Sequence, residues 1–376
     1  MDKIFIEGIA HGGMGIGKIN GKITFVHNAL PNEIVYVEII EDKKDFSIAK
    51  EINFEKTSKH RVEPKCEYYE KCGGCDFQHI AYDYQLKLKA DILRSIFKRI
   101  SKIDINDIKV VESKDIFHYR RRVKFQCAGK RWGLFQKKSK NPVVIEHCKI
   151  ADKAINEFIS GNDCIKKEIV LSDDNVVNKK ESVLNLSDVV DNLYLIYEYG
   201  SFVQVNRDIN IKMVKTVVDS IRQKNVNRVF DFFGGIGNFS IPLAAYGINV
   251  VSFDSNKGAV KSFNRNAKRL KLANIAKSIR KNLIKPFDID IKPPDCVILD
   301  PPRAGAKKVV EYIDRNKPEY VLYVSCEPST LARDLITLKD SYIIEKVTLF
   351  DMFPQTHHFE TLVELKFDQN KNGSLY

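Results

Sequence analysis

Four apolar runs in the C-terminal half of the chain each end in a polar or glycine-rich signature, and helical patterns separate them. The runs end at the cluster Gly234–Gly237, at Asp254, at Asp300 and at Cys326. Alternating strand and helix patterns are typical of βαβ units and a parallel sheet. Because the carboxyl ends of parallel strands meet at one edge of a sheet, all four signatures are expected at one crevice. Residues 201–376 are therefore predicted to form a doubly wound, Rossmann-like α/β domain.

The glycine cluster lies between the first of these strands and a helical pattern, where the absence of side chains lets a cofactor approach the backbone. Asp254, at the end of the next strand, is placed to accept hydrogen bonds from ribose hydroxyls. Ser240 replaces the last glycine of the dinucleotide fingerprint, and the sequence has no phosphate loop with a lysine followed by Ser or Thr. S-adenosylmethionine (AdoMet), which has no phosphates, therefore fits better than a dinucleotide or ATP. Acidic side chains at Asp231, Asp254 and Asp300 also favour its positively charged sulfonium.

Cys326 follows an apolar strand and precedes a helical pattern. A helix N-terminus stabilises a thiolate, so we expect the pKa of this thiol to be lowered. A thiolate can add to C6 of a pyrimidine and make C5 nucleophilic enough to accept a methyl group. A base must then remove the C5 proton, and Glu360, His357 and His358 are the candidates. Arg303 stands where methylases of exocyclic amines carry an aromatic residue, which argues against an adenine or cytosine amine as the target.

Residues 1–56 carry short alternating strands with glycine-rich turns, which predict a small β-barrel like the oligonucleotide-binding (OB) fold. The net charge of +12 points to a polyanionic partner, most commonly nucleic acid. Arg120, Arg121 and Arg122 form a dense basic run that would contact an RNA backbone. The sequence shows neither a secretory signal nor a membrane-spanning run, so we expect a cytoplasmic protein that does not bind membranes.

The eight cysteines of a cytoplasmic protein indicate metal ligation or catalysis rather than a disulfide framework. Cys66, Cys72 and Cys75 form a C-x5-C-x2-C pattern that lacks a fourth thiolate. The candidates downstream are Cys127, Cys148 and Cys164. Four thiolates can hold a [4Fe–4S] cluster or a structural zinc, and the spacing does not separate the two.

A strand-rich and basic central domain is expected over residues 57–200. Within it, residues 84–100 predict a helix that could pack on the catalytic domain. Residues 171–188 are polar and are expected to form a loop excursion.

Several motifs, taken in chain order, resemble those of the RNA uracil-C5 methyltransferases, which make 5-methyluridine. They are FVQVN, DFFGGIGNF, FDSN, LDPPRAG, VSCEPSTLARDL and DMFPQTHHFETL. The similarity covers nearly the whole chain, and residues 1–56 resemble the RNA-binding TRAM module. The resemblance implies Cys326 as nucleophile, Glu360 as base and a [4Fe–4S] cluster on Cys66, Cys72, Cys75 and Cys148. It also implies AdoMet contacts from Gln204, Phe233, Asn238, Asp254, Asn282 and Asp300.

The order of barrel, iron–sulfur domain and catalytic domain resembles the branch that modifies 23S ribosomal RNA. The implied function is AdoMet-dependent methylation of C5 of a specific uridine in 23S rRNA by a monomer, through a covalent bond from Cys326 to C6. Three alternatives stay open: the same chemistry on the T-loop of tRNA, a cytosine-C5 methyltransferase, and a non-catalytic iron–sulfur RNA-binding protein. Gly234 replaces a frequent cysteine and Glu327 a frequent asparagine of the family, but neither change removes an atom that the mechanism requires.

Overall fold

The computed structural model describes residues 1–137, 139–165, 168–170, 181–198 and 200–370. The chain divides into two compact units. Unit 1 contains Met1–Leu93, Lys114–Ile169 and Phe353–His358. Unit 2 contains Arg94–Ser113 and the described residues from Val170 to Met352 and from Phe359 onwards. In the described part of the chain, no helix is both long and apolar enough to cross a membrane.

The N-terminal part of unit 1 is a closed five-stranded barrel with strand order β1-β2-β3-β5-β4. Its strands are β1 (Asp2–Ile9), β2 (Gly15–Ile19), β3 (Lys22–Val26), β4 (Ile34–Asp42) and β5 (Phe46–Lys56). Asn20 and Gly21 join β2 to β3 with positive φ angles of 50° and 80°, as a two-residue hairpin turn requires. Alternate apolar residues such as Ile4, Ile6 and Val35 fill the interior. The predicted barrel is confirmed.

The rest of unit 1 consists of short strands and helices. The elements are α1 (Tyr82–Ile100), β7 (Arg122–Lys124), β8 (Gln126–Ala128), β9 (Arg131–Phe135), β10 (Pro142–Val144), α2 (Lys153–Gly161) and β11 (Glu168–Val170). Strands β10-β9-β8 form one sheet and β11-β7 another. Helix α1 lies where a helix was predicted, and the boundary between the two units falls within it.

The expectation that the cysteines serve metal ligation or catalysis rather than disulfides is wrong for two of them, because Cys127 and Cys164 are joined by a disulfide. Strand β8 carries Cys127, and the segment after α2 returns beside the β8–β9 hairpin, where the Cys164 N–H donates to the carbonyl of Lys130 at 2.7 Å. This return leaves the two Cα atoms 5.5 Å apart, a separation that a disulfide can bridge. Neither cysteine is therefore a free thiol.

Unit 2 is built on an eight-stranded sheet of order β16-β15-β14-β17-β18-β20-β19-β6. Its strands are β6 (Lys109–Val111), β14 (Arg228–Phe232), β15 (Asn249–Asp254), β16 (Ala276–Arg280), β17 (Cys296–Leu299), β18 (Tyr320–Ser325), β19 (Tyr342–Phe350) and β20 (Glu360–Phe367). Its helices are α3 (Arg207–Arg222), α4 (Ser240–Ala245), α5 (Lys257–Arg269), α6 (Lys307–Asn316) and α7 (Pro328–Leu338). Strands β16, β15, β14, β17 and β18 are parallel, and β20 is antiparallel to β18. The predicted Rossmann-like domain is confirmed.

The predicted loop at 171–188 needs a correction over its second half, whereas 171–180 lies outside the described residues. Strand β12 (Glu181–Asn185) pairs with β13 (Tyr194–Glu198) in a two-stranded sheet. Ser182 and Leu184 are buried, so the strand has a core-facing side despite its polar composition. The Asn266 side chain on α5 accepts from the Ile196 N–H at 3.0 Å and donates to the Ile196 carbonyl at 2.8 Å, which anchors the pair.

Candidate active site

The carboxyl ends of β17 and β18 bring Asp300 and Cys326 to one edge of the sheet of unit 2. Strand β20 runs the other way and begins at this edge, with Ser325 paired to Thr361. Cys326 follows Ser325 and Glu360 precedes Thr361, so both residues lie just beyond this last pair, and Glu360 acts electrostatically on Cys326. We call Asp300, Arg303, Cys326 and Glu360 the strand-end site.

Cys326 is a half-buried thiol that stands two residues before helix α7. Glu327 caps the helix by accepting from the Ser329 N–H at 3.4 Å. Burial first, and then the nearby Glu360 and Asp300, raise the pKa of Cys326 to about 12 against the opposing effect of Arg303. The expected lowering of this pKa is wrong, because desolvation and two carboxyl groups outweigh the helix N-terminus. In the ligand-free protein the thiol is therefore neutral.

The two carboxyl groups of the strand-end site also favour their protonated forms. Glu360 is only 3% exposed, and its Oε2 atom has no hydrogen-bond partner. Burial raises the pKa of Glu360 well above its usual value, Asp300 raises it further and Arg303 opposes them. Burial likewise raises the pKa of Asp300 to about 7. Three acidic groups share the strand-end site with one guanidinium, so a positively charged ligand would be favoured there.

The loop after β14 has the shape expected of a cofactor loop. Phe233 adopts a positive φ of 64°. A Cβ on Gly234 would lie 2.6 Å from the Asp231 carboxylate oxygen, so a larger residue here would require the neighbouring side chains to move. Asp231 lies beneath the loop, fully buried, and accepts a hydrogen bond from the Ser240 hydroxyl. Burial raises the pKa of Asp231 to about 7, so it supports the loop and contributes less negative charge than expected.

Four of the six expected AdoMet contacts line a single cavity of about 40 Å³ in unit 2: Gln204, Phe233, Asn238 and Asp300. The Asn238 side-chain amide exchanges two hydrogen bonds, of 2.9 and 3.0 Å, with that of Asn210 on α3. This reciprocal pair fixes the orientation of Asn238 toward the cavity.

The other two expected contacts lie elsewhere. The Asp254 carboxylate accepts from the N–H groups of Gly235 at 3.0 Å and Asn256 at 2.7 Å, so it holds the loop that lines the cavity. Asn282 is exposed and accepts from the Ile284 N–H at 3.0 Å. Asn282 is not among the described residues that line the cavity.

Sequence patterns missed three residues of this cavity region. Asn210 lies buried within the apolar face of α3, and a polar residue at such a position is a signal that could have revealed it. Leu184 and Phe202 also line the cavity: Leu184 carries no pattern that separates it from ordinary apolar residues, and Phe202 lies in the FVQVN motif, in which Gln204 was the expected contact.

The two histidines considered as alternative bases belong to unit 1 and are engaged there. The Asp76 carboxylate accepts from the His357 N–H at 2.7 Å and also pairs with the His357 ring. The His358 ring lies 3.9 Å from the His357 ring. Glu360 is the candidate base that acts electrostatically on Cys326.

A second group of candidates lines a cavity of about 470 Å³ in unit 1, which we call the cysteine cavity: Cys66, Cys72, Cys75 and Cys148. Three of the sulfurs receive N–H donors. Gly74 donates to Cys72 at 3.4 Å, the Gln78 side chain bonds to Cys75, and Ile150 and Ala151 donate to Cys148. Such donors stabilise thiolates and metal-bound sulfur.

The charged side chains and the volume of the cysteine cavity limit which groups its cysteines could bind. Arg120, Lys124, Lys137 and Lys149 line it. Burial raises the pKa of Cys72 to about 11 and raises those of Cys75 and Cys148 too, so uncompensated thiolates are costly. Among the residues that the structure describes, no three His, Cys, Asp or Glu side chains are arranged to hold one metal ion. Four cysteine side chains line the cavity, and sulfur is the donor atom that both a structural zinc and an iron–sulfur cluster take.

Comparison with protein families gives two matches. Residues 162–367 match the family described as tRNA (Uracil-5-)-methyltransferase, and residues 3–51 match the TRAM domain.

Similar proteins cover almost the whole chain. The 23S rRNA (uracil(1939)-C(5))-methyltransferase RlmD of Shewanella halifaxensis is 32% identical over 95% of this chain and 94% of its own. An uncharacterized RNA methyltransferase of Thermotoga maritima is 29% identical over 97% and 99%. The crystal structure of the Pyrococcus abyssi tRNA (uracil-54, C5)-methyltransferase with S-adenosyl-L-homocysteine has a TM-score of 0.74 at 24% identity, covering 97% of this chain and 100% of that one. At that identity the structural likeness supports the fold.

Proposed function

The chain belongs to the RNA uracil-C5 methyltransferase family and is AdoMet-dependent, and from this premise we propose that it methylates C5 of one uridine in 23S ribosomal RNA. The site proposal rests on one observation: Cys326 and Glu360 lie immediately beyond the last β18–β20 pair, Ser325 and Thr361, at the sheet edge that also carries Asp300. The rRNA substrate is supported by the relatives named for 23S rRNA, which match almost end to end.

In the proposed reaction, the Cys326 sulfur forms a bond to C6 of the uracil, and the electron pair of the C5–C6 double bond moves toward the C4 carbonyl. C5 then carries the electron pair that would form the bond to the methyl group, and the pair of the broken methyl–sulfur bond would remain on the sulfur of the methyl donor. The Glu360 carboxylate takes the C5 proton, the C5–C6 double bond returns, and the sulfur leaves as a thiolate. The neutral resting thiol must lose its proton when substrate binds, and Arg303, which lowers the pKa of Cys326, favours that loss.

AdoMet supplies an electrophilic methyl group on a positively charged sulfur. Gln204, Phe233, Asn238 and Asp300 would line its site, and Asp254 would hold the glycine loop against it. The carboxyl groups of the strand-end site suit that charge, because a nearby cation favours their ionised forms. Asn282 would be an outer contact of the same cofactor, as the family resemblance implies.

The cysteine cavity is proposed to hold a [4Fe–4S] cluster on Cys66, Cys72, Cys75 and Cys148. Cys148 is preferred as the fourth ligand because it lines the same cavity as the other three, whereas Cys127 and Cys164 are bonded to each other. The N–H donors to three of the sulfurs support this proposal.

We keep the division into an RNA-binding barrel (1–56), an iron–sulfur central domain (57–200) and a catalytic domain (201–376) as a proposal. The basic lining of the cysteine cavity would contact phosphates, and the target uracil would have to leave its stack to reach Cys326. A monomer in the cytoplasm, where ribosomal RNA is found, completes the proposal.

The test uses RNA tritiated at C5 of uracil and lacking the modification, incubated with the full-length protein and AdoMet. Tritium release to water is expected, and Cys326→Ala should reduce it to background. No release from any such RNA would contradict uracil-C5 methylation, and release by the variant would contradict only the nucleophile. Tritium release by Cys326→Ala would also be expected if a different thiol were the nucleophile.

Mapping the methylated nucleotide by mass spectrometry then separates the substrates. We expect 5-methyluridine at one position of 23S rRNA. Methylation confined to the T-loop of tRNA would overturn the rRNA proposal, and 5-methylcytidine would overturn the choice of base.

A further inference from the structure

The segment between β17 and α6 carries Arg303 on a tight turn. The Gly305 N–H donates to the Pro302 carbonyl at 2.9 Å, which closes a β-turn with Arg303 and Ala304 at its centre. Arg303 is exposed and acts electrostatically on both Cys326 and Glu360. The orientation of this turn therefore decides how much positive charge the strand-end site receives.

Two neighbouring residues of α7 hold the turn from outside its own segment. Helix α6 has no side-chain cap of its own at Ala306, and the Asp334 Oδ2 atom accepts from the Ala306 N–H at 2.8 Å instead. Arg333 donates to the Ala304 carbonyl at 3.1 Å and to the Asp334 Oδ1 atom at 2.7 Å. Side chains of α7 therefore hydrogen-bond the turn at Ala304 and the backbone that follows it at Ala306.

Burial and close packing show that this arrangement is specific. The Asp334 side chain is only 2% exposed and also accepts from the Tyr323 hydroxyl at 2.7 Å. Gly305 has a φ of 82°, and a Cβ there would lie 2.4 Å from an Arg333 nitrogen and 2.8 Å from an Asp334 oxygen. A buried carboxylate is costly unless it is paired and hydrogen-bonded, and Asp334 meets that condition through the turn.

We propose that Arg333 and Asp334 are positioning residues that tie the Arg303 turn to the helix behind Cys326, so that the Arg303 guanidinium stays where it can offset charge on the thiolate. Helix α7 begins two residues after Cys326, so one rigid element fixes the nucleophile at its start and the turn further along. The proposal rests on the proposed function for the role of Cys326 as nucleophile.

The test measures alkylation of Cys326 by iodoacetamide in the full-length protein, resolved from the other cysteines by mass spectrometry and followed from pH 7 to pH 10. In Asp334→Asn the amide oxygen can still accept from Tyr323 and Ala306, but its NH2 group faces the Arg333 donors. We expect alkylation at pH 8 to slow by about 3- to 10-fold, with the profile displaced to higher pH, because Arg303 no longer stabilises the thiolate. Glu360 and Asp300, the other groups that act on this thiol, are unchanged.

Arg303→Ala is then made alone and in the Asp334→Asn background. Alone it should slow alkylation by a similar factor, and in the double variant it should add nothing further, because both changes remove the same charge. A purely structural role for Asp334 predicts multiplied effects, and that result, or unchanged alkylation in a folded Asp334→Asn, would overturn the proposal.

Two more variants serve as an alternative and as a control for Asp334→Asn. If Asp334→Asn unfolds, Arg333→Met, which alters a half-exposed side chain, carries the same expectation. Tyr323→Phe removes one hydrogen bond to Asp334 without touching Arg333, and should lower the melting temperature while alkylation stays within about twofold. Alkylation needs neither RNA nor AdoMet, so failure of the RNA proposal would leave this result intact.

Discussion

The strand-end site and the cysteine cavity both hold partly buried sulfur atoms, but the two regions surround them with different charges. Cys326 lies near the carboxyl groups of Asp300 and Glu360, with Arg303 as a counterweight. The cysteine cavity is lined by four basic side chains and offers N–H donors to three of its sulfurs.

This difference indicates how cysteine sulfur atoms could serve two different roles in one protein. A sulfur that must bind and later release carbon gains from being a neutral thiol until its substrate arrives, because a permanently stabilised thiolate is a weaker nucleophile. The sulfurs proposed to hold a cluster have N–H donors beside them, although burial also raises the pKa values of Cys72, Cys75 and Cys148. Burial raises thiol pKa values in both regions, so the regions differ in the groups beside the sulfurs: carboxyl groups near Cys326, and basic side chains and N–H donors in the cysteine cavity.

The largest effect is expected at Glu360, the proposed base of the strand-end site. Glu360→Gln should lower tritium release by roughly 10²- to 10⁴-fold, because the amide cannot take the C5 proton. A covalent protein–RNA adduct should accumulate, visible as a slow band on a denaturing gel, because the sulfur cannot leave until that proton is removed.

Glu364→Gln is the matched control for this change. Glu364 lies on the same strand and is also buried, but it pairs with Ser220 and Lys224. Its variant should retain tritium release per folded molecule and form no adduct. Equal losses in the two variants would point to strand stability instead of a base at residue 360.

The next effect concerns the neutral state of Cys326. With a pKa of about 12, the thiolate fraction should rise tenfold per pH unit, so alkylation in the free protein should accelerate about 100-fold between pH 7 and pH 9. A rate that levels off below pH 8 would mean that the helix N-terminus prevails over burial. The proposed contrast between the two regions would then fail.

Sequence patterns predicted the strand-end positions of Asp254, Asp300 and Cys326 because a buried parallel strand is an apolar run, and its end is marked by the first polar residue. They could not give the pKa of Cys326, which depends on desolvation and on Glu360, a residue that reaches it only through the antiparallel return of β20. Asp334 was missed although a carboxylate on the apolar face of α7, next to Leu331 and Leu335, is a visible anomaly. The Cys127–Cys164 bond was missed because pairing depends on tertiary proximity, which spacing does not encode.

A smaller effect on chemistry is expected in the cysteine cavity. Cys72→Ser should lose iron, measured by metal analysis after anaerobic purification, and RNA affinity should fall about tenfold, or about 1.4 kcal/mol. The reason is that the cluster would hold the chain segments carrying the basic lining. The rate of methyl transfer at saturating RNA should change less than the affinity.

Cys127→Ser is the control, because Cys127 is bonded to Cys164 and is not among the described residues that line the cavity. It should keep its iron and its RNA affinity. Normal stability and RNA binding in Cys72→Ser would count against a structural cluster, and zinc in place of iron would count against its identity.

The smallest effect is expected on the melting temperature and comes from the buried carboxyl group of Asp231. The pKa of Asp231 is about 7 in the folded protein against about 4 in an unfolded chain, so between these values the unfolded state releases a proton that the folded state keeps. Stability contributed by the protonated group is therefore lost as pH rises from about 4 to 7. Asp231→Asn cannot ionise and should gain about 3 to 6 °C in melting temperature over the parent at pH 8, with little gain at pH 5.

Ser240→Ala supplies the opposite change, because the Ser240 hydroxyl donates to Asp231 and favours its ionised form. Without that donor the pKa of Asp231 should rise further, and the melting temperature should fall more at pH 8 than at pH 5. Calorimetry of both variants at the two pH values checks this pairing. If the melting temperature of Asp231→Asn fell equally at pH 5 and pH 8, the loss of the hydrogen bond from Ser240 would outweigh the effect of ionisation. A negative charge at the carboxyl end of β14 would then be tolerated.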